Sequence, residues 1–335
     1  MVISMSSKSV TLAETVEFIN SRDNFTVLCH TNPDGDTLGS GYALCGVLHL
    51  IGKRARLICD EKPSARFEFL KETIRDKPEM QVFVEGVDET IVTVDVADVE
   101  LLGSLKETYA NKIDLSIDHH ISNKKYATFT LLDTGAAACA ELMWELIMQM
   151  ESNLGQDWPP LVTTPIAAAI YTGIATDTGC FKYPNTTTIS HMFAAEVMGY
   201  GFDAAKINYT MFEMKTRARI QLEQQAISSM EFYFGEKCAL IVLDFELLEG
   251  IDPEDAGNVS SLPRQVEGVV VGVVLKEKSK GLWKASVRTG EGANAQAVCD
   301  ALGGGGHLRA AGCTLTGDVE SVKKVILAEV EKQLG

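Results

Sequence analysis

The sequence predicts a two-domain α/β protein. An N-terminal doubly wound, mostly parallel sheet is joined by a helical linker to a smaller α/β domain. Three observations predict this. Short apolar strands alternate with helical stretches through the first half, as in β-α-β units. Several of these strands end on Asp or His, at the edge where open parallel sheets hold their ligands. A polar, helix-patterned stretch over 203–232 then precedes a second set of strands. The expected boundaries are 1–200 for the first domain, 201–213 for the linker and 214–335 for the second domain, a comfortable division of 335 residues.

Taken in order, Thr11–Ser21 carries Leu12, Val16 and Ile19 at helical spacing and reads as an amphipathic helix. Phe25–Cys29 is a strand, Leu38–Leu50 a helix closed by Gly52, and Ala55–Cys59 the next strand. This first β-α-β unit delivers His30 and a tight Asn32-Pro33-Asp34-Gly35-Asp36 loop at the C-terminal end of its strand. Thr90–Val96 and Ile113–Ile117 repeat the pattern, presenting Asp95 and the triplet Asp118-His119-His120. Ala136–Met150 is a helix whose small-residue start, AAACA, allows close packing. Thr164-Pro165 opens a helix that runs to about Ile174 and presents Asp177 just beyond. Residues 181–188 read as a loop. In the second domain the strands are Ala239–Leu243, Val269–Leu275 and Leu282–Val287, followed by a helix over Asn294–Leu302. Four glycines and His307 come next, and a helix over Val319–Leu334 closes the chain.

Composition narrows the function. A net charge of −16 argues against a protein that coats long DNA or RNA electrostatically, but leaves room for a short anionic substrate held at metals. The 8 cysteines are scattered without a C-x-x-C, and most have apolar neighbours, so they read as reduced, buried thiols. Val269–Leu275, the most apolar run of the second half, is far short of a membrane span. The N-terminus shows no charged head followed by an apolar stretch, so no secretory leader is expected. The expectation is a cytoplasmic protein with no membrane partner.

His30, Asp34, Asp36, Asp95, His119 and Asp177 come from four separate segments, each at a strand or helix end. Carboxylates held close together raise one another's pKa, whereas a divalent cation reverses the penalty. Mixed imidazole and carboxylate donors suit Mn2+, Mg2+ or Co2+ better than thiolate-selected metals. Six donors exceed the needs of one open catalytic site and fit a pair of cations sharing a carboxylate. An Asn-Pro-Asp-Gly-Asp segment alone is an ordinary turn, and an isolated Asp-His-His is equally unremarkable. Their coincidence at four strand or helix ends is what points to a site. His49 and His191 read as structural.

The succession H-x-N-P-D-x-D (His30–Asp36), VDVAD (Val94–Asp98), Asp118-His119-His120 and TGIATDTGCF (Thr172–Phe181) resembles the DHH phosphoesterase superfamily. The tail GGGGHLRAAG (Gly303–Gly312) resembles the associated DHHA1 domain. With two short domains and little else, the chain is similar to the nano-RNase/pAp phosphatase branch, pAp being 3′-phosphoadenosine-5′-phosphate. The resemblance implies two Mn2+ ions, with Mg2+ or Co2+ as substitutes. His30 and Asp34 would hold one ion, Asp36, His119 and Asp177 the other, and Asp95 both. It implies that His120 faces the scissile phosphate and that Asp118 fixes an imidazole. The implied reaction is metal-assisted, in-line attack of water on phosphorus, acting on short RNA or dinucleotides. Other activities within the superfamily are hydrolysis of cyclic di-AMP or pApA and, less so, of polyphosphate or pyrophosphate. A homodimer is the family-like assembly. A non-catalytic nucleotide-binding protein would show a broken ligand set, and all six positions are intact.

Between Arg264 and Arg309, seven basic side chains stand against four acidic ones, a local excess in an acidic chain. Successive glycines let backbone N–H groups approach an anion closely, and Arg288 can grip phosphate bidentately. With the resemblance, Arg288, Gly305, Gly306, His307 and Arg309 are the expected substrate-binding residues. The lysines of 276–284 read as a solvated face. A clamp from the second domain would limit the substrate to two or a few nucleotides.

Overall fold

The structure, a computed structural model, describes residues 7–155, 158–251 and 259–334. The chain divides into two compact units between Met214 and Lys215. The first unit is built on six strands: β1 (Lys8–Ser9), β2 (Phe25–Leu28), β3 (Ala55–Ile58), β4 (Thr90–Val94), β5 (Leu115–Asp118) and β6 (Phe129–Leu132). Their order is β1-β6-β5-β4-β2-β3, every pair parallel. The chain winds from β2 outward to β3, then returns to β4 on the other side of β2. The topological switch point therefore lies between β2 and β4, where a doubly wound sheet opens a crevice. Both strands are buried along their whole length, which is why they read as continuous apolar runs.

Helices α1 (Leu12–Asn20), α2 (Gly35–Leu50), α3 (Leu105–Tyr109), α4 (Cys139–Asn153), α5 (Thr164–Asp177), α6 (Thr188–Met198) and α7 (Ala204–Asn208) complete the unit. α1 opens on a capping box between Thr11 and Glu14. α2 is buried from Gly35 to His49, and His49 bonds the Ala55 carbonyl through Nε2 at 2.8 Å. Such a helix, apolar all round, belongs in the core. It approaches α5 without side chains between them: a Cβ on Gly39 would lie 2.4 Å from the Ala169 carbonyl oxygen. A Cβ on Gly173 would meet Ala140 Cβ at 2.5 Å and Asp36 Oδ1 at 2.8 Å.

Several boundaries differ from the sequence expectation. α2 begins at Gly35, not Leu38, because Asp34 accepts the N–H groups of Asp36 (3.0 Å) and Thr37 (3.2 Å) as its cap. Asp36 thus stands in a helical first turn rather than in a loop. α5 is capped by Thr163 and continues to Asp177. β1, β6 and α6 had no counterpart in the periodicity, the first two being short and the last half-exposed. Residues 204–213 are helical, and Ile207 and Met211 are buried in the first unit's core.

The second unit contains α8 (Arg217–Ser228), β7 (Glu231–Tyr233), β8 (Cys238–Leu243), β9 (Val271–Ser279), β10 (Leu282–Thr289), β11 (Gly305–His307) and β12 (Ala310–Thr316). The sheet order is β11-β12-β10-β9-β8-β7, antiparallel except for β8 with β9. One face packs Val273, Leu275, Trp283, Ala285 and Val287 with residues of the helices Ala295–Asp300 and Val319–Leu334. On the other, Ile241, Leu243 and Val274 cluster with Leu222 and Ala226 of α8. Among the described residues no helix is long and apolar enough to cross a membrane.

The α2–α5 contact gives a direct test. Gly39→Ala is expected to destabilise the protein by about 1–3 kcal/mol, the usual cost of overpacking, seen as a lowered urea midpoint. An unchanged midpoint would mean that the two helices can spread freely.

Candidate metal centre

His30 follows β2 and Asp95 follows β4, so the switch point itself presents one imidazole and one carboxylate. Asp95 sits at φ +60°, in the left-handed region that non-glycine residues seldom occupy. Such a backbone outlier at a strand end is a mark of functional sites. Its N–H still bonds the Ile117 carbonyl at 2.9 Å, so the turn is anchored to β5.

The imidazoles are oriented by backbone carbonyls. His30 Nδ1 donates to the Thr31 carbonyl (2.7 Å), leaving Nε2 3.6 Å from Asp34 Oδ1 and 3.6 Å from Asp95 Oδ2. His119 Nδ1 donates to the Ala136 carbonyl (3.2 Å). Its Nε2 lies 3.4 Å from Asp95 Oδ1, 3.5 Å from Asp177 Oδ2 and 3.8 Å from Asp36 Oδ2. A ring nitrogen fixed on a carbonyl while its partner faces carboxylates is how metal-ligating histidines are held.

Asp36 is pinned from the other side. Its Oδ2 accepts the N–H of Cys139 (2.6 Å) and its Oδ1 that of Ala140 (2.9 Å), the first two residues of α4. The cap position of that helix is Ala138, which has no side chain to offer, so Asp36 caps α4 from across the core. Asp177 stands at the end of α5, where Asn185 Nδ2 ties its carbonyl (3.1 Å) to that of Ala137 (3.0 Å).

The donors fall into three groups whose ligand atoms lie within 4.8 Å of one another: His30, Asp34 and Asp95; Asp36, His119 and Asp177; and Asp95, His119 and His120. The first two together contain all six sequence candidates, with Asp95 beside His119 of the second. Burial, together with Asp95 and Asp177, pushes the Asp36 carboxyl upward. Burial, with Asp95 and Asp34 adding repulsion, raises Asp177 to about 6. The imidazoles move the opposite way to what burial alone would do. The carboxylates of Asp34 and Asp95 overcome burial at His30 and raise it to about 11. Asp95, Asp36 and Asp177 do the same at His119, raised to about 10. Asp95 Oδ1 is buried and accepts no hydrogen bond. A buried, unsatisfied carboxylate oxygen in a shell of N and O donors fits a divalent cation.

Asp118 has a different task. Its Oδ1 accepts from the His119 N–H (2.8 Å), the His120 N–H (3.3 Å) and His120 Nδ1 (2.8 Å), and its Oδ2 from Asn123 Nδ2 (2.6 Å). With both oxygens engaged it is a positioning residue. The Asp118 bond raises the His120 pKa, which favours the charged ring.

Comparisons with known proteins now place the chain. The family model described as "DHH family, N-terminal domain" matches residues 24–174, and the "DHHA1 domain" matches residues 239–335. A Thermus thermophilus protein named bifunctional oligoribonuclease and PAP phosphatase NrnA is 33% identical over 92% of this chain and 89% of its own length. The chain belongs to the DHH/DHHA1 phosphoesterase family. A Mycoplasma pneumoniae protein of the same name is 24% identical, over 96% of each chain. The fold is shared with the crystal structure of an exopolyphosphatase-related protein from Bacteroides fragilis, with TM-score 0.82, 21% identity, and 96% and 95% of the two chains covered.

The DHHA1 part departs from a simple reading of its glycines. Gly305–His307 form β11 and pair with Gly312, Ala311 and Ala310 of β12. A Cβ on Gly304 would lie 2.3 Å from the Gly312 carbonyl oxygen. Gly306, at φ +146°, would strike Ala311. The N–H groups of Gly303 and Gly304 are taken by the Asp300 and Cys299 carbonyls. These glycines therefore serve close strand packing first. Arg309 is held by the carbonyls of Gly290 and Ala293, while His307 is exposed and Arg288 half-buried. The residues that sequence reasoning missed are Asn123, Asn185 and the α4 N-terminus. The small-residue start at 136–140 was the one visible signal of the α4 N-terminus, and Asn123 and Asn185 had none.

Because His30 and His119 are protonated at neutral pH, divalent metal binding is expected to release about two protons per chain. Affinity should rise with pH and fall further below about 6 as Asp177 gains its proton. Titration calorimetry in buffers of different ionisation heat measures this, and a pH-independent affinity would show that the imidazoles are neutral.

Proposed function

We propose that this chain is a two-metal phosphoesterase that hydrolyses short oligoribonucleotides to mononucleotides and removes the 3′-phosphate of pAp. The observation that carries this reading is that His30 and His119 both face Asp95 while His119 also faces Asp36 and Asp177, with His120 Nδ1 3.5 Å from Asp95 Oδ1. The similarity to the NrnA proteins over nearly the whole chain supports the substrate class.

We assign His30 and Asp34 to one cation, Asp36, His119 and Asp177 to a second, and Asp95 to both, with Mn2+ as the preferred ion and Mg2+ or Co2+ as substitutes. Bound there, such ions polarise a phosphoryl oxygen and lower the pKa of water. The protein's own contribution is orientation. Asp118 accepts from His120 Nδ1 and favours the charged ring, the form that can donate Nε2–H to a phosphoryl oxygen on which charge develops. In the DHHA1 part, Arg288, Gly305, Gly306 and His307 hold the nucleotide. Arg309 shapes the 290–293 turn through its two carbonyl contacts. A cytoplasmic setting, where short RNA fragments arise, accords with this reading.

A side-by-side rate comparison on pAp, pApA, cyclic di-AMP and a five-nucleotide RNA tests the proposal, with pAp and RNA expected to turn over fastest. Preferential turnover of cyclic di-AMP would replace this reading with a cyclic-dinucleotide phosphodiesterase. Asp95→Ala is expected to abolish turnover and metal uptake together. His120→Ala should lower kcat about 100-fold or more with metal content retained, and lost metal would make His120 a ligand instead. Arg288→Ala is expected to weaken 5′-phosphorylated dinucleotides far more than bis-p-nitrophenyl phosphate. Equal losses on the two would remove its substrate role.

A further inference from the structure

β10 alternates strictly. Trp283, Ala285 and Val287 enter the core, so Lys284, Ser286 and Arg288 stand on the opposite face. The register sets Lys284 between Lys276 of β9 and Thr314 of β12, Ser286 between Val274 and Gly312, and Arg288 between Gly272 and Ala310. β11 continues the last two rows with Gly305 and His307. From β10 outward this face carries Ser286, Ala310 and Gly312, all half-buried, too small to pack a helix. The apolar cluster on this side of the sheet draws instead on Ile241, Leu243 and Val274 of β8 and β9. The outer half is a shelf with a cationic row along it.

Sequence alone reads the lysines of 276–284 as solvated. The structure instead buries Lys276, whose Nζ donates to Ser260 Oγ at 2.8 Å. Burial, with the positive charges of Lys278, Lys284 and Arg288, lowers its pKa to about 8. Like charges set directly opposite in an antiparallel pair are destabilising, and Lys276 and Lys284 are such a pair. Residues two apart on a strand recur at about 6.7 Å, so Lys284 starts about 13 Å from Arg288, beyond the reach of a single phosphate. Lysine is a compact point charge that grips phosphate without reading sequence. Beyond Lys284 the same face offers Leu282 and then the turn at Gly281, so the row is short.

Resting on the oligoribonuclease reading above, we propose that Arg288, Ser286 and Lys284, backed by Lys276, form a track for the phosphodiester backbone. The track holds the phosphates beyond the first, and Lys284 sets the preference for substrates longer than two nucleotides. The grip is on backbone rather than base, and so is independent of sequence.

The test is Lys284→Gln, an exposed substitution with little risk to folding. Binding of labelled two- and five-nucleotide RNAs is measured across salt concentrations in chelator, where no turnover occurs, and kcat/KM is measured with divalent metal. For the five-nucleotide RNA, the slope of log Kd against log salt is expected to shrink by about 0.7, one phosphate contact on a single strand. The ratio of kcat/KM for five over two nucleotides should fall roughly five- to tenfold, and Lys284→Arg should restore both. An unaltered slope and ratio in Lys284→Gln would overturn the track. If the wild-type protein hydrolyses neither RNA, the oligoribonuclease reading fails, and the slope then decides the track by itself: a fall keeps it, no fall removes it.

Discussion

The carboxylate of Asp36 joins the fold to its chemistry. Both oxygens are met by peptide N–H groups of α4, 103 and 104 positions further along the chain. α4 has no side-chain cap of its own, and the buried Asp36 of α2 otherwise meets only Ser40 Oγ at 3.4 Å and His119 Nε2 at 3.8 Å, so each supplies what the other lacks. The positive end of a helix favours an anion, and two charge-assisted bonds support a carboxylate that burial would otherwise neutralise. The absent side chains at Gly39 and Gly173 let α2, α4 and α5 close to this distance. With that junction made, Asp36 and Asp177 reach the same imidazole, His119.

The switch point between β2 and β4 does the rest. A doubly wound sheet leaves its strand ends open where the winding reverses, and His30 and Asp95 stand just beyond those ends. The left-handed backbone at Asp95 turns its carboxylate across the crevice, so that one oxygen faces His30 and the other His119. Four carboxylates and two imidazoles in this volume repel and attract in a pattern that only additional positive charge can balance. Protons on His30 and His119, whose pKa values rise to about 11 and about 10, supply part of it, and a cation would take their place.

Much of this was legible in the sequence because strand ends announce themselves. Runs such as TIVTVDV and IDLSIDHH change from apolar to ligand-bearing within one residue, and five of the six donors follow from them and from the His30–Asp36 segment, the sixth, Asp177, from a helix end. The doubly wound sheet followed from the same alternation. What could not be read was held by backbone rather than by side-chain identity. Asp34 as a cap lengthens α2 by a turn, and the N–H groups of Cys139 and Ala140 carry no signature in their residue types. The glycines of 303–306 illustrate a second limit. Their frequency marks a close approach, but only the pairing of β11 with β12 shows that the approaching partner is another strand. β1 and β6 are too short for any period to emerge.

The way the ligand shell is fastened has a bearing on how the protein would take up an ion. His30 and His119 are tethered to carbonyls of Thr31 and Ala136, and Asp34 and Asp36 to peptide N–H groups, so four of the six donors are fixed by the scaffold itself. Those four donors are positioned by peptide groups rather than by the ion they would hold, so a cation entering the nest would find most of its shell already arranged.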